Sequence, residues 1–129
     1  MSYKFSFEKL EVWQLSKDFI MDIYESTKEF PSNEKFGLVS QINRASISVS
    51  SNLAEGTSRT SYKDQAHFSQ LAYSSLMEVI CQLIIAKDLN MIDEVNYQNL
   101  RTKAEEISNK INSLRRYQLD KSTNKRINT

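Results

Sequence analysis

The sequence predicts an all-α protein, an antiparallel up-down-up-down four-helix bundle, on three observations. Its 129 residues include only two glycines and one proline, too few for a sandwich or barrel, which needs turn residues roughly every 8–12 positions. Four segments repeat apolar residues at spacings of 3 and 4, the mark of helices with one buried face. Short polar connectors separate them, which forces consecutive helices to run antiparallel. The expected helices cover about residues 8–29, 33–55, 62–89 and 94–119 of one domain spanning 1–120, followed by a flexible basic tail at 121–129.

The first helix opens after Ser6 as N-cap, and Val12, Leu15, Phe19 and Ile23 form its apolar stripe, widened by Trp13, Ile20 and Tyr24. Pro31 halts it, because the residue before a proline is pushed out of the helical region. Ser32 is expected to cap the second helix, with Glu34 near the positive end of its dipole. Val39, Ile42, Ser46, Val49 and Leu53 are its inward stripe, and Gly56 is placed as a left-handed C-terminal residue. Small and β-branched residues from Ala45 to Ser51 give poor intrinsic helicity, so this helix depends on packing.

Ser61, three residues ahead of Asp64, reads as a variant capping box for the third helix, which runs to Leu89 with Asn90 as its stop. Between Leu76 and Ala86 only Glu78 and Gln82 interrupt apolar residues. A bundle helix that is apolar nearly all round has a second face to cover, and a subunit interface is the economical explanation. Its candidate contacts are Leu76, Met77, Glu78, Ile80, Gln82 and Ile84, with Arg44 of the same or a neighbouring subunit as the expected partner of Glu78. Asp93 caps the fourth helix, whose seam is Tyr97, Leu100, Ala104, Ile107, Ile111 and Leu114. Periodicity fades from about Asp120, hence the expected tail.

Catalytic machinery is hard to find. The many serines need a positioned base to become nucleophiles, and the single histidine, His67, lies on a different segment from most of them. Two glycines cannot build a phosphate loop, and Arg59, eight residues before His67, does not match the Arg–His spacing of helical toxin ribonucleases. His67 reads as a solvated side chain and the lone Cys81 as an inert buried thiol. One Cys and one His cannot supply the about four ligands of a structural zinc, so neither metal nor cofactor is expected. Gln41, Arg44, Ser48, Asn52 and Glu55 share one helical face. They read as a hydrogen-bonded polar ladder fixing helix register, with Asn52 and Glu55 serving donors of the following loop, or as a binding surface.

Net charge is +1, yet residues 109–129 carry six basic side chains against Asp120 alone. Arg115, Arg116, Lys121, Lys125 and Arg126 are the candidate phosphate contacts, with Tyr117 available to stack on a base; the other reading is a solvated tail. The N-terminus lacks an apolar signal region, and the longest uninterrupted apolar stretch, Leu83–Ala86, falls far short of the ~20 residues of a membrane span, so a cytoplasmic address away from membranes is expected.

Several blocks carry a family resemblance: Leu10-Glu11-Val12-Trp13-Gln14, Ile23-Tyr24 with Phe30-Pro31, Glu34-Lys35-Phe36-Gly37-Leu38, Gln41-Ile42-Asn43-Arg44-Ala45 and, most specific, Ser51-Asn52-Leu53-Ala54-Glu55-Gly56. Over residues 5–117 the chain resembles the bacterial four-helix-bundle proteins encoded in intervening sequences of 23S ribosomal RNA genes, also labelled S23 ribosomal proteins. The resemblance implies a homopentameric ring without enzymatic activity. It also implies kinship with the accessory variability determinant proteins of diversity-generating retroelements, which bind reverse transcriptase and nucleic acid through basic surfaces. The resulting expectation is a non-enzymatic scaffold or adaptor that self-associates and binds RNA or DNA weakly; the alternative is a protein-only adaptor.

Overall fold

The computed structural model describes the backbone of residues 3–127 and the side chains of residues 3–123. Four helices, α1 (Glu11–Thr27), α2 (Leu38–Thr57), α3 (Tyr62–Asp88) and α4 (Glu94–Ile127), account for nearly all of it, with single 3-10 turns at Ser6–Lys9 and Ser32–Glu34. No strand occurs among the described residues. Each helix packs on two others, in the cyclic order α1, α2, α3, α4, so the bundle closes around one core. Pairings across the seams establish the antiparallel sense. Gln41 and Ser48 of α2 meet Gln82 and Ser75 of α3, while Glu11 and Asp22 of α1 meet Lys110 and Lys103 of α4.

The expected stripes are the core. Val12, Phe19 and Ile23, Ile42, Val49 and Leu53, Leu76, Val79 and Leu83, and Leu100, Ile107 and Ile111 are all buried in one cluster. Hydroxyls within it are satisfied by their own helices: Ser16 donates to the Trp13 carbonyl at 2.7 Å and Ser46 to that of Asn43 at 2.9 Å. This back-bonding lets small polar residues sit inside without an orphaned group.

Helix ends agree with the sequence in three places and depart in four. Ser61 accepts from the Asp64 N–H at 3.1 Å and Asp93 from that of Asn96 at 2.8 Å, so both expected caps form. Asn90 stops α3 with φ of 59°, the left-handed region that asparagine tolerates. The Met91 N–H reaches back to the Ala86 carbonyl and the Asn90 N–H to that of Lys87, closing a Schellman motif. By contrast, α1 does not start at Ser6. The Glu8 carboxylate takes the Phe5 N–H, a 3-10 turn forms, and the extended Leu10 delays the helix to Glu11. Ser32 likewise opens only a 3-10 turn; the Glu34 carboxylate accepts the Leu38 N–H, and α2 begins there.

Gly56 is not a left-handed terminator. It is a buried residue inside α2, where a Cβ would lie 3.2 Å from the Phe68 Cβ, so its role is to let α2 and α3 approach. The last departure is the tail. α4 continues to Ile127, past the point where apolar periodicity ends, because each further residue adds a backbone hydrogen bond and no glycine or proline follows Asp120. Residues 128–129 lie outside the described residues.

Candidate functional site

The α2–α3 seam holds the polar ladder expected from the sequence, with different partners. Ser48 and Ser75 hydroxyls lie 2.9 Å apart, and the Asn52 amide donates back to the Ser48 carbonyl and hydroxyl at 2.9 and 3.1 Å. Glu55 accepts from Arg59 at 2.8 Å. Neither Asn52 nor Glu55 caps loop donors; the loop satisfies itself through the Ser58 and Arg59 N–H groups bonding to the Glu55 and Gly56 carbonyls. Glu78 meets Gln82, whose amide also reaches Gln41, and not Arg44. Arg44 is exposed on α2 and lines a different hollow, so it does not pair with Glu78 within one chain.

The candidate interface residues divide between the two faces of α3. Leu76 is fully buried in its own bundle and Gln82 is buried against α2, so neither is free to touch another subunit. Met77 and Ile80 are half-buried and packed on the core. Only Glu78 and Ile84 of those on α3 are exposed. They share the outer face with Leu71, Cys81, Ile85 (44% exposed) and Leu89 (58% exposed), residues the sequence argument passed over. Cys81 is therefore not the buried thiol expected: the helical register puts Val79 and Leu83 inward and Cys81 between them outward.

Over part of its length α3 reaches a mean hydropathy of 1.3, long and apolar enough by composition to cross a membrane. In this fold its apolar content splits between the bundle core and the outer stripe.

The basic end of α4 is helical, which places its side chains in register. Tyr117, 52% exposed, carries the Lys121 ammonium 5.5 Å from its ring centroid, and the Tyr62 ring stands edge-on at 6.4 Å. Arg116 is exposed, whereas Arg115 is half-buried with its Nε lacking a partner among the described residues. Gln118 turns inward and accepts from Ser69 at 2.7 Å, anchoring this stretch to α3. The side chains of Lys125 and Arg126 lie outside the described residues.

Among the described residues nothing brings catalytic groups together. His67 is exposed, edge-on to Phe68, and no cluster of three His, Cys, Asp or Glu with metal-ligand geometry exists among the described residues. Among the described residues two titrating groups are clearly displaced, each by a hydrogen-bonding neighbour. The Tyr97 hydroxyl at 2.7 Å, helped by Glu105, raises Arg101, and Glu11 at 2.6 Å raises Lys110.

What the sequence missed lies between α1 and α2. Tyr24, Lys35, Val39 and Asn43 line two adjoining hollows of about 540 and 370 Å³, the larger also bounded by Phe36, Arg44 and Ile47. The available signal was Phe36, an aromatic residue in a polar connector outside any helical stripe.

The fold has a solved counterpart. It resembles the 1.70 Å crystal structure of a protein of unknown function from the S23 ribosomal protein family of Bacteroides thetaiotaomicron, with a TM-score of 0.72 and 21% identity over 80% of this chain and 96% of that one. No curated protein matches the sequence. The family model described as 23S rRNA-intervening sequence protein matches residues 8–113, most of the bundle. The chain belongs to that family, the 23S rRNA-intervening sequence proteins.

Proposed function

We propose that this protein is a non-enzymatic, self-associating helical scaffold, with the outer face of α3 as the contact between copies and a five-membered ring as the assembly. The carrying observation is the row Leu71, Cys81, Ile84, Ile85 and Leu89, apolar and exposed on a helix whose other face is core. Exposed apolar residues gathered on one helix of a single bundle suit an interaction site, although Ser74 and Glu78 stand between Leu71 and Cys81, and repetition of one head-to-tail contact around an axis closes a ring. Cys81 supplies the test. Alkylation of its thiol should be slow in the native protein and fast in an Ile85→Glu variant that keeps its helicity. Equal, rapid labelling of both would overturn the reading.

A second reading is favoured by the α4 end, where Tyr117, Lys121 and Arg116 stand on a rigid helix. This group suits a single-stranded RNA or DNA, base on Tyr117 and phosphates on the cations, and a ring would gather one such group per subunit. Binding should weaken with salt by about 0.7 in log–log slope per phosphate contact, and Arg116→Gln should flatten it. Absence of binding at low salt leaves the protein-only adaptor.

A further inference from the structure

The paired hollows between α1 and α2 are separate from both the α3 face and the α4 end. Their lining combines three features that seldom coincide by chance. The first is an aromatic and apolar wall: Tyr24, Val39 and Ile47, with Phe36 standing 88% exposed at the edge. The Phe36 ring carries the Lys35 ammonium 5.5 Å from its centroid, so an aromatic face and a cation stand together at the rim. The second is positive charge. Lys35 and Arg44 line the larger hollow, and among the described residues neither has an acidic partner within 4.0 Å. The nearby Glu34 carboxylate is committed to the Leu38 N–H at the start of α2, and Lys28 to Glu25. The third is a directed amide. The Thr27 hydroxyl lies 3.2 Å from both the Tyr24 carbonyl and the Asn43 amide, and its single hydrogen serves one of them, so one end of the Asn43 amide is held by Thr27 and the other is left at the wall of the hollow.

We propose that this site binds a nucleoside monophosphate. Tyr24 and Phe36 offer aromatic surface for the base, the Asn43 amide pairs with a polar group on the base edge, and Arg44 meets the phosphate, joined by Lys35 when it leaves the Phe36 ring. Base–aromatic contact supplies affinity for any base, whereas the amide discriminates among base edges. The concavity, about 540 Å³, is in the range of small-molecule sites. A macromolecular strand would need cations spaced along a path, and the two cations here converge on one hollow.

Calorimetric titration of the full chain with AMP, GMP, CMP and UMP tests this, with the four matching nucleosides as the phosphate-free arm, inorganic phosphate as the base-free arm and a short single-stranded oligonucleotide as the strand arm. At least one monophosphate should bind with Kd below about 1 mM, and the matching nucleoside should bind at least about tenfold more weakly. Phe36→Ala should cost about tenfold, the lower end of a base-stacking contact. Lys35→Gln with Arg44→Gln should cost a similar factor and remove the salt dependence, and Asn43→Asp should change the order of preference among bases. Because Phe36 and Arg44 are exposed, their variants keep the fold, checked by unchanged melting. The proposal is overturned if no monophosphate binds, if phosphate alone binds as tightly, if only the oligonucleotide binds, or if Phe36→Ala alters the subunit count and leaves nucleotide affinity unchanged.

Discussion

The two faces of α3 are built from similar residues and have opposite fates. Inward, Leu76, Val79, Leu83 and Ala86 are essentially inaccessible, packed in the one core cluster. Outward, Leu71, Cys81, Ile84, Ile85 and Leu89 meet water. The inner face is fully explained by one chain; the outer is not, because nothing in a four-helix ring lies beyond it. Apolar composition alone therefore identifies α3 as special without saying which residues face the core and which face outward.

Mutating one face at a time sharpens the division. Leu83→Ala or Leu76→Ala should destabilise the bundle by about 2–5 kcal/mol in urea unfolding, since each leaves a cavity in a packed core. Ile85→Ala on the outer face should change the stability of the isolated bundle by about 0.5 kcal/mol or less. A comparable loss from both would erase the distinction between the faces.

The seating of α3 on its neighbours comes next in size. Gly56→Val should cost about 1–3 kcal/mol by overpacking against Phe68, and Gly56→Ala less, because only the first Cβ then crowds the contact. Unchanged melting of Gly56→Val would show that α2 and α3 are not in close contact there. On the α4 side, Ser69→Ala removes the donor to the buried Gln118 and should cost about 1–3 kcal/mol, with increased hydrogen exchange beyond Tyr117.

The smallest effect lies on the α1–α4 seam, away from α3. The hydrogen bond to Glu11 raises Lys110 above the ordinary lysine range. Its contribution is fully present below that range and is lost as pH climbs through the raised value. Melting temperatures of the parent and Lys110→Gln should therefore differ slightly at neutral pH and converge at strongly alkaline pH. A difference that grew with pH would contradict the assignment. The pair is largely solvated, so any contribution is small.

The sequence revealed the fold well because helical periodicity is a local signal that packing preserves: every residue of the Tyr97 to Ile111 seam is buried as its spacing requires. Caps were legible where one side chain decides, as at Ser61, Asp93 and Asn90. They were not where a glutamate two or more residues inside redirects the backbone, as Glu8 and Glu34 do. Gly56 was misplaced because glycine's two uses, a left-handed stop and a close approach, look identical in a sequence. Within α3 an apolar run cannot report which residue faces out, so it assigns Leu76 and Gln82 to the interface, which the fold buries, and omits Ile85 and Leu89, which the fold exposes. The hollow beside Phe36 escaped notice because it arises from two helices and a connector meeting in space.

Self-association through the outer face of α3 is the claim on which the scaffold reading rests, and sedimentation equilibrium at micromolar concentration tests it most directly. The parent chain should sediment as a closed oligomer of five subunits, and Ile84→Glu with Ile85→Glu should sediment as a monomer with undiminished helical circular dichroism. A parent chain that sediments as a stable monomer would contradict the account, leaving the outer face of α3 exposed in solution.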